Sequence, residues 1–171
     1  MAVKRRGQRQ VKAIVKENKR LTGIGVKPDA RYNSVIVSKF INCLMYDGKK
    51  SVAEAVFYDA MDIIAKRKLA ETPLEVFETA IKNVMPKTEV RSKRVGGANY
   101  QVPVEVPEKR SRALAFRWIL EASRKKKGKP MRERLAAELT DAFKKEGDSM
   151  QKREATHKMA EANKAFAHFV R

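Results

Sequence analysis

Apolar residues recur along this chain with two periods, one helical and one extended. From Ser34 to Tyr46 the spacing is helical, and Val37, Phe40, Ile41, Leu44 and Met45 share one face. Asn33 or Ser34 is placed to cap the start of this helix, and Asp47-Gly48 to stop it. Lys49-Lys50 then falls in a tight turn. Ser51-Val52-Ala53-Glu54 reads as a capping box for a second helix, with Val52, Val56, Phe57, Ala60 and Ile64 inward. Its basic end, Lys66-Arg67-Lys68, suits a helix C-terminus. Thr72-Pro73-Leu74-Glu75 is a third start signal: a cap, a proline at the first helical position and a glutamate at the third. Val76, Phe77, Ala80, Ile81 and Val84 form the buried face, and Met85-Pro86 ends it. A fourth helix runs from Pro107 to about Lys125 on Leu114, Ala115, Trp118, Ile119 and Ala122, closed by Lys125-Lys126-Lys127-Gly128. Pro130 opens a fifth, with Met131, Leu135, Leu139, Ala142 and Phe143 on one face, stopped by Gly147. Asp148 is placed to cap a sixth, with Gln151 at the reciprocal position. Its stripe, Ala155, Met159, Ala162, Phe166 and Phe169, is weak and is interrupted by His157, Asn163 and His168. That predicts a helix lying on the bundle or on a partner.

The extended period is confined to Thr88–Val106. Tyr100, Val102, Val104 and Val106 alternate, so they share one face of a strand. Gly96-Gly97 marks a reversal, and Pro103 predicts an edge strand. The first arm carries Arg91, Lys93 and Arg94, with no acid after Glu89. A lone hairpin is marginal in water. The reading is an arm that projects from a helical body and is steadied by a polyanion; the alternative is a hairpin folded against its own helices. Tyr100 either stacks on a base or packs on the bundle, and its place on the valine face favours packing. The fold class is mainly α: a single-domain bundle of about six helices with a protruding β-hairpin between the third and fourth. Residues 32–171 form the bundle and residues 1–31 a basic arm.

Charge changes this picture most. The chain has 171 residues, 43% hydrophobic, and a formal net charge of +19. A compact domain meets self-repulsion at such a charge. The simplest reason to carry it is a polyanionic partner: nucleic acid first, an anionic membrane surface second. No apolar run is long enough to span a bilayer. No apolar segment follows the basic start, so no signal peptide is read, and a soluble intracellular protein is expected. In the leader, Arg5, Arg6, Arg9, Lys12, Lys27 and Arg31 are candidates for phosphate contact, against only Glu17 and Asp29. Val11, Ile14 and Val15 hint at one helical turn there, and the leader is expected to order on a partner. Lys49 and Lys50, the hairpin cations Arg91, Lys93 and Arg94, and Arg110, Arg112 and Arg117 of the fourth helix complete the basic set.

Candidate catalytic chemistry is sparse. His157 and His168 are the two histidines, and about three helical turns separate them, too far for one metal site. Cys43 is the one cysteine, which excludes an intramolecular disulfide. It sits on or beside an apolar face and is read as a small hydrophobe. Gly96-Gly97 is followed by no Gly-Lys-Ser/Thr, and Gly48-Lys49-Lys50-Ser51 lacks the glycine and strand that precede a phosphate loop. No enzyme, cofactor or metal is expected.

Several blocks together resemble one family. They are Pro28-Asp29, Tyr32-Asn33-Ser34, Lys39-Phe40-Ile41-Asn42, Asp47-Gly48-Lys49-Lys50-Ser51 with Ala53-Glu54, and Val95-Gly96-Gly97-Ala98-Asn99-Tyr100-Gln101-Val102-Pro103. Arg117-Trp118 and the run from His157 to Phe166 belong with them. The chain from Pro28 to Phe169 resembles the seventh-protein family of the bacterial small ribosomal subunit. The resemblance implies a helical bundle with a protruding hairpin. It implies binding to the 3′ major domain of small-subunit ribosomal RNA, nucleation of head assembly, and a cytoplasmic place in the small subunit. It further implies a position at the subunit interface near exit-site transfer RNA and the messenger RNA exit path. The ninth and eleventh small-subunit proteins would be its neighbours, with the chain a monomer within the ribosome. Some members repress their own messenger RNA. Within the hairpin motif, Gln101 joins the RNA-binding candidates. Two other classes stand beside this one: a nucleic-acid-modifying enzyme, which the missing catalytic cluster disfavours, and a DNA-binding architectural protein.

Overall fold

The computed structural model describes residues 26–170, in two compact units divided after Lys50. In the first unit, Asp29 organises a turn. Its Oδ2 accepts from the backbone N–H groups of Arg31 and Tyr32, both at 3.1 Å, and its own carbonyl accepts from Asn33 N at 2.9 Å. Helix α1, Val35–Leu44, follows. Ser34 occupies the cap position without a side-chain hydrogen bond to the helix, so the backbone geometry rather than the hydroxyl sets the start. Val37, Phe40, Ile41 and Leu44 are buried, as the period predicts. The helix ends before Tyr46, which is exposed. Cys43 is exposed too, which corrects its reading as a small buried hydrophobe.

The second unit holds the remaining helices: α2 Lys50–Lys66 (its first residue at the division), α3 Pro73–Val84, α4 Glu108–Lys125, α5 Met131–Phe143 and α6 Asp148–Ala162. A 3-10 turn at Lys164–Val170 closes the chain. Helix α2 begins one residue before Ser51, so the proposed capping box lies inside its first turn. Its inward stripe is Ala53, Phe57, Ala60, Met61 and Ile64; Val52 is exposed, which corrects its assignment to the core. Phe57 meets Phe77 of α3 edge-on, with centroids 5.3 Å apart. The start of α3 follows its sequence signal: Thr72 Oγ1 accepts from Glu75 N at 3.2 Å, and Pro73 opens the helix. All five apolar residues predicted for its face are buried.

Helix α4 packs against α3, α5 and α6. Ala115, Phe116, Trp118, Ile119, Leu120 and Ala122 are all buried, so its buried arc is wider than the predicted stripe. Ser111 donates to Pro86 O at 2.7 Å and pins the start of α4 to the end of α3. Asn83 donates to the carbonyls of Ala142 and Phe143 at 3.0 and 3.1 Å, satisfying the open end of α5.

Strands β1 (Thr88–Val95) and β2 (Ala98–Glu105) pair antiparallel in register Thr88↔Glu105 to Val95↔Ala98. The two-residue turn Gly96-Gly97 has φ of +59° and +89°. Both central residues are therefore in the positive region that a tight primed turn demands and glycine supplies. The hairpin protrudes at its tip, where residues 91–94 and 96–99 are exposed. At its base it is packed: β1 lies against α6, and β2 against the 3-10 turn. Val102 is buried there.

Helix α6 departs from the sequence reading. Ala155 and Ala162 are exposed and Met159 is 51% exposed, so the helical part of the predicted stripe faces outward; Phe166 falls in the 3-10 turn and is half-buried, and the side chain of Phe169 lies outside the described residues. The inward face instead carries Met150, Arg153, His157 and Ala160. Arg153 donates to Asn83 O, and Lys87 N donates to His157 Nε2 at 3.0 Å. The start also differs: Gly147 holds the cap position and Asp148 is the first helical residue, without a cap bond from its side chain. The cap comes from α5. Glu138 Oε1 accepts from both Ser149 N (3.0 Å) and Ser149 Oγ (2.7 Å).

Candidate nucleic-acid interface

The sequence-predicted cations fall into three groups. Arg5, Arg6, Arg9 and Lys12, like the helical turn read at Val11–Val15, lie outside the described residues. In the first unit Lys27, Arg31 and Lys49 are exposed, with the Arg31 guanidinium 5.5 Å from the Tyr32 ring centroid. Lys50, at the division, is exposed as well.

The third group belongs to the hairpin and α4. Residues opposite one another in an antiparallel pair share a face. Arg91 pairs with Val102 and Lys93 with Tyr100, so these cations lie on the valine face. Arg94 and Gln101 lie on the other face, both exposed. The Tyr100 ring packs on Phe166 of the 3-10 turn, centroids 5.3 Å apart. The Arg112 side chain is only 13% exposed and is ion-paired with Glu108 one turn back on α4, while Arg117 is exposed.

Arg91 and Arg110 are drawn together by one carboxylate. Glu89 is 7% exposed. Its Oε1 lies 2.8 Å from Arg91 Nη2 and 2.7 Å from Arg110 Nε, and its Oε2 lies 2.9 Å from Arg110 Nε. Burial alone would push the Glu89 carboxyl up. The hydrogen bonds and charges of Arg110 and Arg91 outweigh it and hold the carboxyl below the usual glutamate range. Both arginine side chains remain about half exposed, at 52% and 51%.

A second basic surface was missed in the sequence. An open cleft of about 650 Å³ is lined by Arg67, Lys126, Lys127, Lys129 and Arg134, with Glu133 the acid among them. Arg67 Nη1 donates to Thr140 Oγ1 at 2.9 Å, and Arg134 Nη1 to Lys126 O at 2.6 Å. Lys126 Nζ lies 2.7 Å from Glu138 Oε2 and 3.1 Å from Asp141 Oδ2. Burial would lower the Lys126 pKa, but these two carboxylates raise it above the ordinary lysine value. Lys127 and Lys129 are exposed. The signal was present in the runs Lys66-Arg67-Lys68 and Lys125-Lys126-Lys127, each read only as a helix end. The fold brings Arg67 and Lys126–Lys129 to one cleft.

Among the described residues no cluster of His, Cys, Asp and Glu could hold a metal ion, and no helix is long and apolar enough to cross a membrane. Cationic side chains on a tight-tipped hairpin, beside a helix bearing four arginines, suit phosphate contact.

Residues 16–164 match the family described as ribosomal protein S7p/S5e. The chain belongs to this family. It is similar to the small ribosomal subunit protein uS7 of Rhodopirellula baltica, 61% identical over 143 residues, covering 83% of this chain and 91% of that protein. The proteins of the same name from Dictyoglomus turgidum and Desulfotalea psychrophila are 57% and 56% identical over 144 residues, 84% of this chain and 92% of each. Membership makes this chain a ribosomal protein and agrees with the bundle and hairpin described above.

Proposed function

We propose that this chain binds the 3′ major domain of small-subunit ribosomal RNA and nucleates assembly of the subunit head. It is a structural constituent of the small ribosomal subunit, as its relatives are named. The observation that carries the RNA-binding reading is the joining of Arg91 and Arg110 at Glu89, below a hairpin tip that presents Lys93, Arg94 and Gln101. Structured RNA offers phosphates and unpaired bases instead of a readable deep groove, and dispersed cations on a rigid frame match that. Arg117, Lys127 and Lys129 extend the contact along the second unit; Lys27, Arg31, Lys49 and Lys50 add to it, as do Arg5, Arg6, Arg9 and Lys12. The hairpin tip is directed to the exit-site transfer RNA and messenger RNA exit path, with the ninth and eleventh small-subunit proteins adjacent. The same surface would serve repression of its own messenger RNA.

The test compares retention of the purified protein on a 3′ major-domain fragment, an unrelated structured RNA and duplex DNA at equal salt. Preference for the fragment is expected. Equal retention on all three overturns the assignment to that domain, and preference for the duplex favours a DNA-binding architectural protein. Gradient fractionation of a lysate places the protein with small subunits or refutes that location.

A further inference from the structure

Glu89 is an anomaly for a polyanion-binding surface: a nearly buried acid among the cations expected to meet phosphate. Simple electrostatics says that it opposes binding. Its geometry says otherwise. The carboxylate takes Arg91 through Nη2 and Nε, each at 2.8 Å. It takes Arg110 through Nε at 2.7 and 2.9 Å. Arg91 comes from β1 and Arg110 from the first turn of α4, 21 residues apart from Glu89 in sequence. Among the described residues Arg110 meets a carboxylate only through Nε, so its terminal N–H groups stay available. A guanidinium held at one edge can still donate in parallel from the other, which is the geometry phosphate oxygens accept.

We infer that Glu89 is a positioning residue for RNA binding: it fixes Arg91 and Arg110 as a preformed two-guanidinium fork for one backbone phosphate. This deepens the RNA-binding reading and rests on it. A free arginine loses rotamer freedom when it meets phosphate; these two have lost it already. One carboxylate between two guanidiniums leaves the cluster one net positive charge, so its gain comes from order rather than from charge. The depressed Glu89 carboxyl is consistent with a carboxylate that stays ionised throughout the neutral range.

The experiment measures binding of the full chain to the 3′ major-domain fragment for wild type, Glu89→Gln, Arg110→Lys and the double variant. Glu89→Gln removes a negative charge from a protein of net charge +19, so electrostatics alone predicts tighter binding. Positioning predicts the opposite, a loss of about fivefold or more from two arginines that must order on binding. Arg110→Lys keeps the charge but loses the two-edged contact, and a comparable loss is expected. The double variant should lose little more than either single one, because both break one unit. Glu89→Gln binding as tightly as wild type, or more tightly, overturns the inference. If Glu89→Gln melts without a cooperative transition, Arg110→Lys decides: wild-type affinity there overturns it equally. An unrelated structured RNA is run beside the fragment. Equal wild-type retention on both sinks the assignment to the 3′ major domain yet leaves the Glu89 comparison readable on either RNA.

Discussion

The ring of Tyr100, on the returning strand of the hairpin, lies 5.3 Å from the ring of Phe166 in the closing 3-10 turn. This tilted pair ties the hairpin to the C-terminal end of the second unit, so the arm is free at its tip and fastened at its base. Aromatic pairs of this kind contribute about 0.5–1.5 kcal/mol beyond the area they bury. Tyr100→Ala should therefore release residues 164–168 while the helical core persists. Amide exchange in that segment should accelerate, with only a small drop in melting temperature. Unchanged exchange would mean that other contacts hold the turn.

The hairpin cations divide by position. Lys93 and Arg94 are exposed near the tip, whereas Arg91 is bound to the Glu89 cluster at the base. Replacing Lys93 and Arg94, both exposed, with Gln should change thermal stability little. Each lost phosphate contact should shallow the log–log salt slope of RNA binding by roughly 0.7–0.9. A slope equal to wild type would place both side chains away from phosphate. Arg91→Gln should differ, lowering the melting temperature as well, because it strips a partner from a nearly buried carboxylate.

Trp118 is 7% exposed on the enclosed helix α4, beside Ala115, Ile119 and Ala122. Truncating a large aromatic in a packed core costs about 3–5 kcal/mol. Trp118→Ala should lose about that much in denaturant unfolding. As the chain's single tryptophan, it should also give emission well to the blue of a water-exposed indole. Emission at the water-exposed wavelength would contradict its placement.

What was legible in the sequence follows from what each signal depends on. The start of α3 was readable because Thr72, Pro73 and Glu75 act within one turn, and so was the hairpin reversal at Gly96-Gly97. Helix α6 was not, because half of its inward face is polar and satisfied from elsewhere: Arg153 by Asn83 O, His157 by Lys87 N. Its cap was misread for the same reason. Asp148 had the right residue type at the right place, yet the acceptor is Glu138 on another helix. The candidate site shows the same division. Its cations were visible as composition, but Glu89 drawing Arg91 and Arg110 together is a tertiary arrangement with no local signature.

Glu138 makes that tertiary cap testable. It is fully buried, yet one oxygen accepts from Ser149 N and Oγ and the other lies 2.7 Å from Lys126 Nζ. Space at the site is tight as well: a Cβ on Gly147, at φ +94°, would come within 3.2 Å of Glu138 Oε1. Removing the carboxylate leaves the buried Ser149 without its acceptor, at a cost of roughly 1–3 kcal/mol, while Lys126, 32% exposed, keeps Asp141. Glu138→Ala should lose that much stability and fray the first turn of α6. Glu138→Gln, which can still accept from Ser149, should lose less. Equal losses for the two would show that the charge opposite Lys126, not the cap, is what matters.

His157 gives the second unit a pH dependence of definite sign. The half-buried ring accepts the Lys87 N–H through Nε2 at 3.0 Å, so it must be unprotonated there. Burial disfavours the charged ring, the neighbouring Arg153 and Lys87 add to this, and Glu154 offsets only part. The pKa is therefore below the ordinary histidine value of about 6.5. A depressed folded pKa means that the unfolded chain takes up the proton first as pH falls. The stabilisation is fully present above about pH 6.5 and is lost as pH drops through that value towards the folded pKa. Wild type should accordingly melt at a higher temperature at pH 7.5 than at pH 5.5. In His157→Gln, whose amide oxygen can accept the same N–H at either pH, that difference should shrink, while carboxylates such as Glu89 titrate alike in both proteins. A wild-type profile parallel to that of the variant across pH 5.5–7.5 would show that the Lys87–His157 contact does not form in solution.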